Sequence, residues 1–253
     1  MFTNFNAKSV IMKKLGILLL LIAVGFSAFP QTKKVDSTAL LILERMSGVI
    51  TELNSCRLKA HASFDDYVSG LGLIKHTEDA DMIMRGPDRM YLSLTGQGGQ
   101  RTYLYNGKTL SYYSFSNNRY AIIPAPKTIL GMADSIYSKL GIDLTAIDFF
   151  FPDFVDVLKQ NSSFITMLGQ VNLNGKPCFQ IAGAMDSISY QIWITNDPFF
   201  LPVKGVIVYT SKAMNPQFEV DYDWELNQLY PDAIFEFAPP PGATRMKVIP
   251  ADK

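Results

Sequence analysis

The chain has 253 residues, of which 48% are hydrophobic, 12% aromatic and 18% charged, a composition typical of a folded domain with a sizeable core. It excludes disorder and collagen-like repetition. The 23 basic and 23 acidic side chains cancel, so there is no basic field to gather nucleic acid or anionic lipid headgroups.

The N-terminus has the pattern of a secretory signal. Lys13 and Lys14 precede an apolar run over residues 15–26, and the small residues Ser27 and Ala28 follow it, which is the tripartite order of such signals. The apolar run is shorter than the roughly 20 residues that span a membrane. The pattern therefore predicts export and cleavage, without a permanent membrane span.

The predicted division of the chain follows from this signal. A signal peptide occupies residues 1–28, with Met12 as an alternative start, and cleavage falls near residues 27–31. A short linker over 29–36 leads into a single domain over 37–253. We expect an exported, soluble protein of the periplasm.

An amphipathic helix opens the predicted domain. Asp36 or Ser37 can cap it, and apolar residues recur at helical spacing from Leu40 to Leu53. From Cys56 the period changes to two, which is typical of a half-buried strand with His61 on its solvent-facing side. Further strands are predicted over residues 71–85, 89–95, 103–105, 109–113 and 119–123.

Glycines mark turns in this predicted meander. The segment Gly96-Gln97-Gly98-Gly99 is interpreted as a flexible hairpin tip, because its glycines lack phosphate-loop spacing and no helix follows. Asn106-Gly107 predicts a tight hairpin with a turn of the primed type. Asn174-Gly175 marks another turn in the second half of the chain.

A helical insert is predicted over residues 127–160. It contains two stretches with helical spacing, separated by the consecutive residues Phe149, Phe150 and Phe151. Three adjacent phenylalanines cannot all face the core from one thin helix end. At least one is expected to be partly exposed, or to cover an apolar surface supplied by the sheet.

The second half returns to strands, and the last of them alternates most strictly. Its aromatic face opposes a row of acidic residues, which we interpret as solvated because alternate strand positions do not converge on a calcium ion. The predicted class is mainly β with α (α+β): a curved antiparallel sheet or incomplete β-barrel, with an N-terminal helix and a two-helix lid. The predicted strands cover residues 164–173, 177–182, 188–195, 203–210 and 217–227.

The only two cysteines leave two interpretations open. An oxidising compartment permits a disulfide between Cys56 and Cys178. Cys56 also lies in register with apolar residues, which favours a small buried thiol instead.

Several motifs stand in a characteristic order and spacing along the chain. They are Arg85-Gly86-Pro87-Asp88-Arg89, Tyr105-Asn106-Gly107, Asn174-Gly175-Lys176-Pro177-Cys178-Phe179, Tyr190-Gln191-Ile192-Trp193-Ile194, Leu201-Pro202-Val203-Lys204, Asn215-Pro216-Gln217-Phe218, Trp224 and Phe235-Glu236-Phe237-Ala238-Pro239-Pro240-Pro241-Gly242-Ala243. In these motifs, residues 37–247 resemble an exported bacterial family catalogued as domain of unknown function 2092. More distantly the chain resembles the periplasmic lipoprotein carriers LolA and LolB and the mycobacterial protein LppX. This likeness implies an incomplete antiparallel barrel with a helical lid over an apolar cavity, and the family brings no established catalytic residues to carry over.

Enzymatic chemistry finds little support in the sequence. It contains no Gly-x-Ser-x-Gly elbow, no His-Glu-x-x-His motif and no cysteine pair at metal-binding spacing. Paired carboxylates such as Asp65-Asp66 are interpreted as surface acids. We therefore predict a protein that is not an enzyme, with no catalytic residues, no metal and no cofactor.

The aromatic excess favours a binding protein. Tyrosine rings and lid phenylalanines suit a cavity for an acyl chain, although rings of this kind also simply fill cores. The leading hypothesis is a periplasmic binding or carrier protein for a lipid or lipidated polypeptide, held between curved sheet and helical lid. The alternative is an envelope interaction or sensor module whose sheet binds a protein partner. The predicted ligand-binding residues are Tyr91, Tyr103, Tyr105, Tyr113, Phe115, Tyr120, Phe149, Phe150, Phe151 and Trp193.

Overall fold

One curved open sheet forms the frame of the molecule. The computed structural model describes residues 33–140 and 145–248, so the predicted signal peptide over 1–28 lies outside the described residues. None of the helices in the described part combines the length and apolar character of a membrane span.

Thirteen strands and three α-helices make up the described part. The helices are α1 (Ser37–Thr51), α2 (Ile129–Leu140) and α3 (Phe154–Asn161), and Thr145–Phe150 is a 3-10 turn between the last two. The strands are β1 (Lys34–Val35), β2 (Ser55–Val68), β3 (Gly72–Arg85), β4 (Arg89–Gly96), β5 (Gly99–Tyr105), β6 (Thr109–Ser114), β7 (Arg119–Pro124), β8 (Phe164–Leu173), β9 (Lys176–Ala184), β10 (Ser189–Thr195), β11 (Pro202–Val208), β12 (Gln217–Leu226) and β13 (Thr244–Arg245).

The strand order is β1-β8-β9-β10-β11-β12-β2-β3-β4-β5-β6-β7-β13. All neighbours are antiparallel except the two short edge strands, since β1 runs parallel to β8 and β13 runs parallel to β7. The predicted class, sheet and two-helix insert are therefore confirmed. The edge strands were not predicted, and β1 lies within the segment that we expected to be a linker.

The turn after β5 differs by one residue from the prediction. Tyr105 pairs with Leu110 and the backbone N–H of Asn106 donates to the Thr109 carbonyl, so Gly107 and Lys108 occupy the corner. Gly107 has a φ of +83°, which glycine adopts without strain. The Asn106 side chain caps the turn instead, accepting hydrogen bonds from the N–H groups of Lys108 and Thr109.

Helix α1 is anchored at its start by Asp36. One carboxylate oxygen accepts the Thr38 N–H at 2.8 Å, which caps the helix, and the other accepts the Met167 N–H of β8 at 3.2 Å. These two bonds lower the pKa of Asp36. The cap and the sheet thus share one side chain, and α1 packs its buried stripe toward β8, α3 and the 3-10 turn.

The strand register separates two faces of the sheet. On the inner face, which packs against the helices, Leu58 pairs with Met82 and Met82 with Leu92. On the outer face, Arg57 forms a bidentate pair with Asp81. We call the end where β2 begins, at Ser55, the near end of the sheet, and the end where β4 finishes, at Gly96, the far end.

The C-terminal segment crosses the outer face. Its 3-10 turn Asp232–Phe235 contacts β4, and the Arg85 guanidinium lies 5.3 Å from the buried ring of Phe235. The segment then runs on to pair as β13 with β7. We call residues 230–245 the outer strap.

The proposed disulfide is absent, and the alternative of buried thiols is what the structure shows. Cys56 and Cys178 are both free, with exposures of 2% and 0%. Cys56 lies on β2 and Cys178 on β9, and three strands separate them in the sheet. Four strand spacings amount to roughly 19 Å, well beyond the roughly 7 Å limit between the Cα atoms of a bridged pair.

Candidate functional site

The space between the inner face and the helices is filled by soft, flexible side chains. Thioether side chains adapt their shape to irregular gaps and to a variable partner. This layer can therefore repack more readily than one built from branched residues. Its buried methionines come from α1, α2 and the two adjoining strands β3 and β4: Met46, Met132, Met82, Met84 and Met90.

The three consecutive phenylalanines cover part of this layer. Phe149 is buried, and its ring lies edge-on to Tyr222 at 5.5 Å between centroids. Phe150 is half-buried and lies 6.0 Å from the Trp224 ring, and Phe151 is half-buried against the same core. Phe149 is thus a core residue, whereas Phe150 is a cover for the sheet.

A cleft opens beside Phe150 at the near end. Its volume is about 300 Å³, at the lower limit of the roughly 300–1,000 Å³ that small-molecule sites occupy. The walls come from the end of α1, the start of β2, the end of β3 and the start of α2. They are largely apolar and include Ile50, Leu53, Cys56, Met84, Ile129 and Phe150.

Two inner-face tyrosines hold the ends of the helical lid, which we define as residues 125–163. At its start, the hydroxyl of the fully buried Tyr105 donates to the Pro126 carbonyl. At its end, the Tyr190 and Ser162 hydroxyls share a hydrogen bond of 2.9 Å. Burial raises the pKa of Tyr105 to about 12 and that of Tyr190 above its ordinary value, so both hydroxyls keep their protons at neutral pH.

Small side chains occupy the middle of the inner face. Ala60 pairs with Ala80 across β2 and β3, and Ala62 lies one position further along the same face. All three remain partly accessible, as do Leu94 and Tyr112 nearby. We call these three alanines the alanine patch, and it lies between the near-end cleft and the far end of the sheet.

The far end of the inner face is polar. Arg101 of β5 and Glu78 of β3 form an ion pair of 2.6 Å, and Glu78 outweighs burial to raise the pKa of Arg101. Next to Glu78 on the same face, the His76 ring contacts Asp66 at 3.6 Å and the Gln97 amide oxygen. The inner face therefore changes from apolar to charged along the strands.

Five of the ten predicted ligand-binding residues lie on the inner side and five do not. Tyr103, Tyr105 and the three phenylalanines are on the inner side. The register places the other five on the outer face, because each has the strand parity of that face or packs beside residues that do. The prediction that these line an inner cavity is wrong for Tyr91, Tyr113, Phe115, Tyr120 and Trp193.

Three of those outer residues form a cluster with the strap. The Phe237 ring lies 6.1 Å from Tyr113 and 5.5 Å from Tyr120, and Phe115 lies edge-on to Tyr113 at 4.7 Å. Part of the aromatic excess therefore fastens the C-terminal segment to the sheet.

Several inner-face residues were missed by the sequence interpretation. Tyr190 and Tyr222 were assigned to strands but not to the site, and Glu78 and Arg101 were not singled out. The available signal was strand parity, meaning which face of the strand a residue occupies. Glu78 shares its face of β3 with Ala80 and Met82, and Arg101 shares its face of β5 with Tyr103. A charged residue on the otherwise apolar face of a strand is unusual, and this identifies the pair.

The chain belongs to a family of predicted periplasmic proteins. Residues 39–249 match the family described as "Predicted periplasmic protein (DUF2092)", in agreement with the sequence resemblance. No curated protein matches the chain.

Solved structures of similar fold include two mycobacterial proteins, the lipoprotein LppX and LprF. LppX from Mycobacterium tuberculosis has a TM-score of 0.48 at 13% identity, covering 74% of this chain and 94% of its own. LprF from Mycobacterium bovis has a TM-score of 0.47 at 14% identity, and the match covers 78% of this chain and 98% of LprF. A LolA superfamily protein from Nitrosomonas europaea has a TM-score of 0.35 at 13% identity, and the match covers 79% of this chain and 97% of that protein.

Proposed function

We propose that this protein is a periplasmic, non-enzymatic binding or carrier protein for a hydrophobic ligand, a lipid or a lipidated polypeptide. The observation that carries the proposal is the apolar cleft beneath Phe150, which adjoins a methionine-rich layer under the lid. The signal peptide, with cleavage near residues 27–31, would deliver the protein to the periplasm.

The way the lid is held favours opening without unfolding. Its ends are fixed by hydrogen bonds to Tyr105 and Tyr190, whereas Phe150 is held by apolar contacts. Apolar contacts lack direction, so an acyl chain can replace those of Phe150 at small cost. Each Å² of apolar surface that the acyl chain buries contributes about 25 cal/mol to the binding free energy. The cost of moving the lid is subtracted from this sum.

Replacing Phe150 by glutamine tests the cleft directly. The probe is dansyl-labelled undecanoic acid, whose fluorescence reports transfer into an apolar site. We expect at least a tenfold loss of affinity, because an amide at the cleft wall must be desolvated by the acyl chain. Phe115→Gln is the matched control, since Phe115 is a 48% exposed ring on the outer face.

The outcomes separate clearly. Reduced binding in Phe150→Gln with normal binding in Phe115→Gln supports the proposal, provided that circular dichroism shows both variants folded. Unchanged binding in folded Phe150→Gln would refute the cleft as the ligand site. Native mass spectrometry of protein purified gently from the periplasm, followed by extraction, would identify the natural ligand.

A protein partner is the second candidate, favoured by one surface. The β2–β3 hairpin exposes Tyr67 at 63% and Leu71 at 74%, and Met214 at 59% lies beside it. Exposed apolar clusters of this kind mark interaction sites. A photocrosslinker at Tyr67 that captures one envelope protein, with capture lost in Leu71→Asp, would support this function.

A further inference from the structure

The Glu78–Arg101 ion pair lies in an unusual place. Both side chains are on the inner face, about one quarter exposed (26% and 25%), beside the buried Tyr103 and the partly buried Leu94. Placing charges against apolar surface costs desolvation energy that a single ion pair barely recovers. The sheet has no need of this pair for cohesion, since its neighbouring strands are joined by continuous backbone pairing.

The glycine-rich turn makes the pair geometrically feasible. Glu78 and Arg101 lie on β3 and β5, and Gly96 of β4 stands between them opposite Glu78. A Cβ at residue 96 would come within 3.3 Å of the Glu78 Cβ, and one at Gly98 within 3.4 Å of Arg101 Nη1. Missing side chains at this turn therefore leave room around both charged groups.

The pair also stands at one end of a row of inner-face residues. The partly accessible alanines Ala62 and Ala80 adjoin Glu78, and the same face leads through the buried Met82 to Met84 in the wall of the near-end cleft. A ligand along this row must displace the Met82 side chain, and a thioether side chain adapts its shape readily. The six residue-to-residue steps from Glu78 to Met84 span about 20 Å at roughly 3.3 Å each. This length suits a long acyl chain whose polar group rests at the far end.

Resting on the proposed carrier function, we propose that Glu78 and Arg101 form a headgroup site for an amphiphile whose head carries both a phosphate and an ammonium group. Arg101 would donate to the phosphate oxygens, and Glu78 would accept from the ammonium. The acyl chain would lie along the alanine patch and, with the Met82 side chain displaced, reach toward Phe150.

The requirement for both charges follows from the pairing itself. An amphiphile with only a negative head must take Arg101 from Glu78 and leave a partly buried carboxylate unpaired. A neutral head leaves the pair intact but gains little from it. Only a head with both charges satisfies both side chains, and unpaired buried groups are the usual source of such discrimination.

The test compares soluble single-chain amphiphiles of equal chain length by calorimetry, below their micelle-forming concentrations. The probes are lysophosphatidylethanolamine, lysophosphatidylglycerol and monoacylglycerol, with glycerophosphoethanolamine as the head without a chain. For the unmodified protein we expect lysophosphatidylethanolamine to bind at least tenfold tighter than either of the other two amphiphiles. The free head should not bind detectably.

Two variants turn this preference into a change of specificity. Glu78→Gln frees Arg101, so we expect weaker binding of lysophosphatidylethanolamine and stronger binding of lysophosphatidylglycerol. Asp81→Asn is the matched control, because Asp81 lies on the same strand and pairs with Arg57 on the outer face with similar exposure. It should leave the order of affinities unchanged.

Each result decides a different statement. Equal affinity for the three amphiphiles, or an equal loss for all of them in Glu78→Gln, would overturn the headgroup site while leaving the carrier function standing. Binding of the free head as tightly as the whole amphiphile would overturn the acyl path. Failure of every amphiphile, monoacylglycerol included, to bind the folded protein would refute the carrier function itself.

Discussion

The hydroxyl groups of Ser162 and Tyr190 share a buried hydrogen bond of 2.9 Å that joins the end of the lid to the inner face of the sheet. Tyr105 makes the corresponding contact at the start of the lid, with the Pro126 carbonyl. Both tyrosines belong to strands that pair firmly on each side. The two ends of the lid are therefore anchored by hydrogen bonds to tyrosines of the sheet.

Removing either hydroxyl should loosen the lid. For Tyr105→Phe and Tyr190→Phe we expect about 1–2 kcal/mol of lost stability each, because a buried carbonyl or hydroxyl loses its partner. Hydrogen exchange should accelerate in α2 for the first variant and in α3 for the second. Tyr113→Phe is the control, since its hydroxyl donates to Asn118 on the outer face at 2.8 Å; similar exchange in all three would contradict the anchoring role.

The two thiols should be inert in the folded protein. Burial raises the pKa of Cys56 to about 12 and also raises that of Cys178, and only the thiolate reacts with alkylating agents. At pH 8 we expect mass spectrometry to find no labelling by iodoacetamide until the protein is denatured. An intact mass two hydrogens below that of the dithiol would show a disulfide and refute the assignment.

Cys56 also predicts a loss of stability in alkali. Its pKa is higher in the folded state than the ordinary value of 9.0, so the folded state retains the proton that the unfolded state has lost. The contribution is complete below pH 9 and declines as the pH rises toward 12. Cys56→Ala should flatten this part of the urea-unfolding profile; an unchanged slope would mean that other groups dominate it.

Asp36 predicts pH dependence in acid. Its pKa is lowered by the N–H groups of Met167 and Thr38, so the ionised form stabilises the fold above the ordinary value of 3.8. That stability is lost as the pH falls through the lower folded pKa. Asp36→Asn should make unfolding less dependent on pH below 4. Asp153→Asn is the control, because Asp153 precedes α3 without a capping hydrogen bond.

The outer strap should depend on Phe237. Phe237→Ala removes ring contacts with Tyr113 and Tyr120, at a cost of roughly 1–3 kcal/mol for a half-buried ring. We expect faster proteolysis within residues 230–245 and unchanged ligand binding, because the strap lies on the face opposite the cleft. Phe199→Ala, at a 53% exposed ring, should change neither; weaker binding in Phe237→Ala would connect the two faces.

The positions of many strands were predictable from the sequence because one face of the sheet is more exposed to solvent than the other. The alternation in β2 and β12 placed His61 and the acidic side chains of β12 on the outer face correctly, and Asn174-Gly175 forms the expected turn with φ values of +52° and +83°. In β6, however, each parity combines a tyrosine with a serine. The sequence could not show that Tyr112 faces the lid and Tyr113 the strap.

Contacts between distant strands were not predictable either. Whether Cys56 and Cys178 meet depends on the strand order, which places β10, β11 and β12 between them. The same order brings Glu78 and Arg101 together across Gly96. Local periodicity reports which residues share a face of one strand, but not which strands are neighbours.

The short parallel strands at both edges bear on the solubility of the folded protein. An open sheet presents unpaired backbone groups at each edge, where further chains can add and grow into fibrils. Here β13 covers the start of β7, β1 covers the start of β8, and the remainder of the β8 edge is interrupted by a bulge at Leu168. The two edge strands thus protect the sheet against self-association. We expect that removal of the strap by a protease would leave a protein prone to aggregate.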